Sequence, residues 1–248
     1  MAMVNSGIKP HVEEITFASD TFLLKGSLHI PPVIRPAVVI GSHGLFSDRT
    51  SPKQIALAQQ CNLYHMAYFR IDHRGCGESE GNFEEGASLQ ARCCDVIAAA
   101  QMLKARDDIG NTLGLFGSSM GGAVCLTVAR YLEADAVVTW AAPIRSTHIV
   151  QRKAARETSV DSNTPFKRHP FDISNALNGI QNILIFHGDH DQTVPLPHAQ
   201  EIYGLVNETK KLVIFARSDH RMSNPADQHV FVRQSALWFQ VHLKAGLS

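Results

Sequence analysis

The chain has no long apolar run, no excess of either charge and few cysteines, and each shortage removes a class of protein. No stretch approaches the ~18 consecutive apolar residues that crossing a bilayer takes, so no membrane association is expected. Lys and Arg total 23, as do Asp and Glu, which leaves no field to recruit nucleic acid or an anionic surface. Met1 to Ser6 lacks the basic and apolar regions of a secretory signal. The five cysteines, Cys61, Cys76, Cys93, Cys94 and Cys125, fit neither a zinc-ligand spacing nor a secreted disulfide framework. Buried reduced thiols and a cytoplasmic location are expected instead. The 13 histidines lack the closed spacings of a structural metal site, so neither metal nor cofactor is expected.

What the chain does have is apolar content arranged in short runs. At 248 residues and 44% hydrophobic it can bury one α/β core. Glu14 to Ala18 and Leu23 to Ile30 alternate as a leading hairpin would. Ala37–Ile40, Met66–Ile71, Leu113–Phe116, Ala136–Trp140, Ile183–Phe186 and Leu212–Phe215 are short apolar runs, as strands buried on both faces require. Helical patterns lie between them: one opened by Pro52 with Ser51 as its cap, one from Leu89 to Leu103, and a terminal one with Phe231, Leu237, Trp238 and Val241 on one face. Alternating strands and helices predict a mostly parallel sheet of about eight strands, covered on both sides, in a single domain. Residues 144 to 177 break that rhythm and are expected to form a small cap insertion.

The most informative stretch is Leu113-Gly114-Leu115-Phe116-Gly117-Ser118-Ser119-Met120-Gly121-Gly122. An apolar run stops at Gly-x-Ser-x-Gly and a small-residue helical pattern comes after it. A serine between a buried strand and a helix must turn sharply, and flanking glycines remove the Cβ atoms that would clash there. The turn lifts the hydroxyl clear of the sheet and aims helix-start N–H groups at it.

This arrangement resembles the nucleophile elbow of the α/β-hydrolase superfamily, and the resemblance covers nearly the whole chain. It implies that Ser119 is a nucleophile, followed in chain order by an acid and a histidine. His187-Gly188-Asp189-His190-Asp191-Gln192-Thr193-Val194-Pro195 is similar to the family's acid loop, with Asp191 at the acid position and Asp189 as a loop-ordering residue. His220, a few residues past the last strand, stands where the family's base sits. His187 is expected to pack at a strand end, His229 lies in the terminal helix, and Asp219 is too close to His220 in sequence to face its ring. The family's oxyanion hole implies two backbone N–H donors, that of Met120 and one from Ser42-His43-Gly44-Leu45, assigned to Leu45. His43 is expected to tie loops together.

The same pentapeptide recurs at Gly77-Glu78-Ser79-Glu80-Gly81, but no buried strand precedes it and glutamates flank the serine. No helix is expected to start at once over Asn82 to Gly86. Asp72 to Ser79 matches the superfamily's Asp-x-Arg-Gly-x-Gly-x-Ser loop, so Ser79 is read as a loop residue. The resemblance implies acyl transfer on a small-molecule carboxylic ester, in the branch of small carboxylesterases, cinnamoyl-type esterases, monoacylglycerol lipases and serine aminopeptidase-like hydrolases. Thioesters, amides, acyl acceptors other than water and a non-catalytic binding role on the same fold stay open. Arg145, Arg152, Lys153, Arg156, Lys167 and Arg168, against Glu157, Asp161 and Asp172, form either a polar cap selecting short or acidic acyl groups or a solvated helix face.

Overall fold

A computed structural model describes residues 9–147, 149 and 169–243. Eight strands form one sheet: β1 (His11–Ser19), β2 (Phe22–Ile30), β3 (Val38–Ser42), β4 (Ala67–Ile71), β5 (Leu113–Ser118), β6 (Ala136–Trp140), β7 (Ile183–Gly188) and β8 (Lys210–Phe215). Their spatial order is β1-β2-β4-β3-β5-β6-β7-β8. The β1–β2 hairpin and the β2–β4 pair are antiparallel, and every later pairing is parallel. Parallel pairing brings the ends of β3, β5, β7 and β8, with the loops they feed, to one edge of the sheet.

The central strands are apolar on both faces because helices cover both. On one face, α3 (Leu89–Lys104), α4 (Met120–Val128) and α5 (Pro197–Leu205) contribute Val96, Val124 and Ile202 to a core with Ile40, Leu115 and Ile185. On the other, α1 (Pro52–Leu63) and α6 (Pro225–His242) contribute Leu57, Phe231 and Phe239 against Val39, Phe116, Trp140 and Phe186.

Several local expectations are corrected. Ser51 occupies the cap position of α1 but its side chain makes no capping bond; its carbonyl accepts from Ile55 N–H at 3.1 Å. A one-turn helix, α2 (Phe83–Gly86), does start directly after the second pentapeptide. A capping box drives it, with Asn82 and Glu85 each accepting the other's backbone N–H. The spacing of Asn82 and Glu85 was the available signal. Leu237 and Val241 are exposed; the buried face of α6 is Phe231, Ser235, Ala236 and Phe239. Helix α5, between the acid loop and β8, was not anticipated.

The expected cap insertion lies largely outside the described residues, which omit 148 and 150–168. At its base, Arg145 bridges to Asp172 at 3.1 Å and forks onto Glu201 of α5. Two of the charges assigned to the cap, Arg145 and Asp172, are thus paired with each other near the two ends of the segment. Among the described residues, no helix is long and apolar enough to cross a membrane. All five cysteines are free, with Cys94 alone half-buried and the other four buried.

Candidate active site

Ser119 sits between β5 and α4 with φ 54° and ψ −122°, a strained conformation for a residue bearing a Cβ. What over-determines it is close packing by the glycines on either side. A Cβ on Gly117 would lie 2.2 Å from the Gly121 carbonyl oxygen, and one on Gly121 would lie 2.2 Å from the Ser42 carbonyl oxygen. Ser119 N–H donates to the Trp140 carbonyl at 2.7 Å, and its own carbonyl accepts from Gly122 N–H at 2.8 Å as the helix begins. The hydroxyl is thereby raised above the strand end.

His220 Nε2 stands 3.0 Å from Ser119 Oγ, and His220 Nδ1 stands 2.7 Å from Asp191 Oδ2. A carboxylate can only accept, so Nδ1 carries the hydrogen and Nε2 is left to accept from the serine hydroxyl. Asp191 is itself fixed, because Oδ1 accepts the backbone N–H groups of Thr193 and Val194 at 2.8 and 2.9 Å. Its side chain is 0% exposed, whereas that of His220 is 21% exposed. One end of the line is dry and the other reaches solvent.

The loops after β7 and β8 are stitched together so that acid and base meet. Asp189 N–H donates to the Phe215 carbonyl at 3.1 Å and His190 N–H to the Ser218 carbonyl at 3.2 Å. Asp189 also accepts from Arg217 N–H and pairs with the His190 ring, away from His220. Trp140 Nε1–H donates to the His220 carbonyl at 2.8 Å, and Lys53 Nζ donates to the next carbonyl, Arg221, at 3.2 Å. Burial holds the Lys53 ammonium down at about 8. His187 is buried with Nε2–H on the Val194 carbonyl at 2.8 Å, and burial lowers its pKa.

The loop after β3 reaches the same place. A Cβ on Gly44 would lie 3.5 Å from both the Ser118 carbonyl oxygen and Ser119 Cβ. Leu45 and Met120 are buried in one small cluster with Ala87, so the two assigned donors belong to neighbouring residues. His43 Nδ1–H donates to the Gly44 carbonyl at 2.7 Å, and its Nε2 accepts from His73 N–H at 3.2 Å. His43 therefore ties loop to loop. Ser79 does likewise, accepting from Lys25 N–H at 2.9 Å and donating to the Asp72 carbonyl at 2.8 Å.

Sequence reasoning missed Arg92. It is wholly buried in α3, where only apolar and small positions were counted toward the core, and it donates to the loop carbonyls of His43, Gly44 and Leu45.

An eight-stranded, mostly parallel sheet with a serine on a strained strand–helix turn defines an α/β-hydrolase. Residues 35–165 match the family model described as Serine aminopeptidase, S33, and the chain belongs to that hydrolase family. It is 27% identical over 159 residues to the uncharacterized protein YfhR of Escherichia coli, an alignment covering 61% of this chain and 52% of YfhR. The chain thus spans about half the length of that relative. Among solved structures, the α/β hydrolase GrgF from Penicillium sp. sh18 has a TM-score of 0.80 at 16% identity, covering 95% of this chain and all of that one. Est1E from Butyrivibrio proteoclasticus, with ferulic acid bound, has a TM-score of 0.77 at 16% identity, covering 93% and 100%. At those identities the likeness is one of fold.

Proposed function

We propose that this chain is a serine hydrolase that cleaves carboxylic esters of small or medium size through an acyl-enzyme. The observation that carries the reading is the unbroken line from Asp191 through His220 to the raised Ser119 hydroxyl, with contacts of 2.7 and 3.0 Å. His220 removes the Ser119 proton as Oγ attacks the ester carbonyl carbon. Asp191 holds the ring in the tautomer this needs and balances the imidazolium that forms. The developing oxyanion is held by the backbone N–H groups of Met120, at the start of α4, and Leu45. His220 then gives its proton to the departing alkoxide, and a water deprotonated by His220 releases the acid and restores Ser119. An alkoxide is a better leaving group than an amide nitrogen, which favours esters. The family's aminopeptidase description and the shared acyl-enzyme chemistry put amides and thioesters next.

A fluorophosphonate probe tests the reading. Folded wild-type protein takes up one label and Ser119→Ala none; a folded wild-type protein that stays unlabelled sinks it. A panel of ester, thioester and aminoacyl-amide substrates, with Ser119→Ala as blank, ranks the leaving groups, and esters varied in chain length and charge test whether the cap selects polar acyl groups.

A further inference from the structure

Arg92 is an expensive residue where it stands. It is fully buried, and among the described residues no carboxylate lies within ion-pair distance of its guanidinium. Burying a cation without such a partner costs several kcal/mol unless its N–H groups are satisfied. They are satisfied by backbone. Nε donates to the Gly86 carbonyl at 2.8 Å, Nη1 to the carbonyls of His43 and Gly44 at 3.3 and 3.4 Å, and Nη2 to the Leu45 carbonyl at 3.3 Å and Cys76 Sγ at 3.4 Å. Three consecutive carbonyls of one loop converge on one side chain.

The geometry of the peptide group links that convergence to the site. In a trans peptide the C=O and N–H point in opposite directions. With the Gly44 carbonyl drawn to Arg92 and to His43 Nδ1, the Leu45 N–H of the same peptide points the other way. A Cβ added to Gly44 would be in van der Waals contact with Ser119 Cβ, so the loop passes close to the elbow while its carbonyls are drawn to Arg92. An oxyanion facing carbonyl oxygens would be repelled, and one facing N–H groups is stabilised. Glycine leaves the backbone free to rotate, so the edge presented is set by the His43 ring and Arg92 on the Gly44 carbonyl, with Arg92 also holding the carbonyls on either side.

We propose that Arg92 is the positioning residue of the oxyanion loop, clamping the carbonyls of residues 43–45 so that Leu45 N–H faces Ser119. This rests on the serine-hydrolase reading of Ser119, and the clamp adds a buried positive charge behind the loop. The clamp acts on the transition state, where the oxyanion exists, and leaves the ground-state ester nearly untouched.

The test uses Arg92→Met and Arg92→Lys, with active sites counted by the burst of an activated ester. Arg92→Met is expected to lower kcat by about 10- to 100-fold with KM changed less than threefold, and to slow fluorophosphonate labelling in parallel. Arg92→Lys, which keeps the charge but has fewer donors, falls between. Wild-type kcat per active site in either folded variant overturns the proposal, since a side chain that only fills the core would change stability and the number of active sites alone. Should neither variant fold, the crystal structure of the wild-type phosphonyl adduct decides. Leu45 N within about 3.2 Å of the phosphonyl oxygen, with Arg92 still on the carbonyls, supports the clamp, and a flipped Gly44–Leu45 peptide overturns it. Failure of wild-type protein to label would instead count against the serine reading itself.

Discussion

Two Ser–His–Asp lines run through this molecule, and the second is a natural control for the first. Ser42 Oγ donates to His73 Nε2 at 2.8 Å, and His73 Nδ1–H faces Asp95 Oδ2 at 3.2 Å, the same bond order and tautomer as Ser119–His220–Asp191. Yet Ser42, His73 and Asp95 are all 0% exposed. Ser42 lies within strand β3, paired with Gly117, where no turn lifts it toward solvent. Burial and the cations Arg92 and Arg74 hold the His73 imidazole down at about 4, against the pull of Asp95, so at neutral pH it is a poor proton acceptor. A triad of residue types is therefore not a site. Backbone strain at Ser119 and an exposed histidine edge separate the two.

The two lines part most widely when the same change is made at both acids. Asp191→Asn keeps the side-chain shape but lets an amide N–H donate to His220 Nδ1, reversing the tautomer. Steady-state assays should show kcat lower by about 10⁴-fold in a folded protein. A loss below tenfold would mean that Asp191 does not orient the base.

Asp95→Asn should act on the fold instead. Asp95 accepts from Ser19 Oγ and Arg74 Nε at 2.9 Å and from Arg74 N–H at 3.1 Å. Removing its charge leaves the Arg74 guanidinium, whose side chain is 8% exposed, with only Asp20 as anion among the described residues. The expected cost is about 3 kcal/mol in urea unfolding, with activity per folded molecule within a few-fold of wild type. The reverse pattern would make the buried line the working one.

Only the outer line was written in the sequence. Ser119, Asp191 and His220 could be placed because each sits in a stretch that resembles a superfamily motif after an apolar run, and parallel strands deliver such ends to one edge. Six strands were legible as apolar runs and the leading hairpin by its alternation. The order in which β4 and β3 lie beside β2 was not, because each reads as a doubly buried run and nothing local says which neighbour it takes. Helix α5, which Pro197 opens, was not read because no helical pattern was sought between the acid loop and the last strand. The buried line and Arg92 escaped for another reason. Arg92 and Asp95 lie outside the apolar and small positions counted in α3, whereas in the fold Arg92 bonds to the carbonyls of residues 43–45 and Asp95 accepts from Ser19 and Arg74.

Acid should weaken the fold through the histidines that burial keeps neutral. His73 and His29 are held at about 4, and His43 well below its ordinary value, burial being the first cause in each. The unfolded chain protonates them near 6.5. Their folded pKa values are depressed, so the unfolded state binds more protons below that pH, and stability falls as pH drops from about 6.5 toward 4. The contribution of His73 at pH 5 is on the order of 2 kcal/mol. Asp95, held at about 2 chiefly by its bonds to His73 and Arg74 against the cost of burial, loses its contribution only below about pH 5 and leaves the comparison of pH 7 with pH 5 clear. Urea midpoints at pH 7 and 5 check the slope, and His73→Gln should flatten part of it; equal midpoints at both pH values would contradict the assignment.

The mildest substitution discriminates best. Ser42→Ala removes one hydroxyl and leaves His73 Nε2 without its donor in a dry interior, which should cost about 1–2 kcal/mol of stability. The Ser42 backbone, whose carbonyl packs against Gly121, is unaltered, so the elbow keeps its shape. Fluorophosphonate stoichiometry should therefore stay at one label per chain and ester turnover within about twofold, while urea unfolding shifts to lower concentration. Two serines each bonded to a histidine that faces an aspartate would then differ completely in reactivity, and the cause could be neither residue type nor bond order. Loss of labelling in folded Ser42→Ala would show instead that the inner hydroxyl reacts, and that access and backbone strain do not divide the two lines.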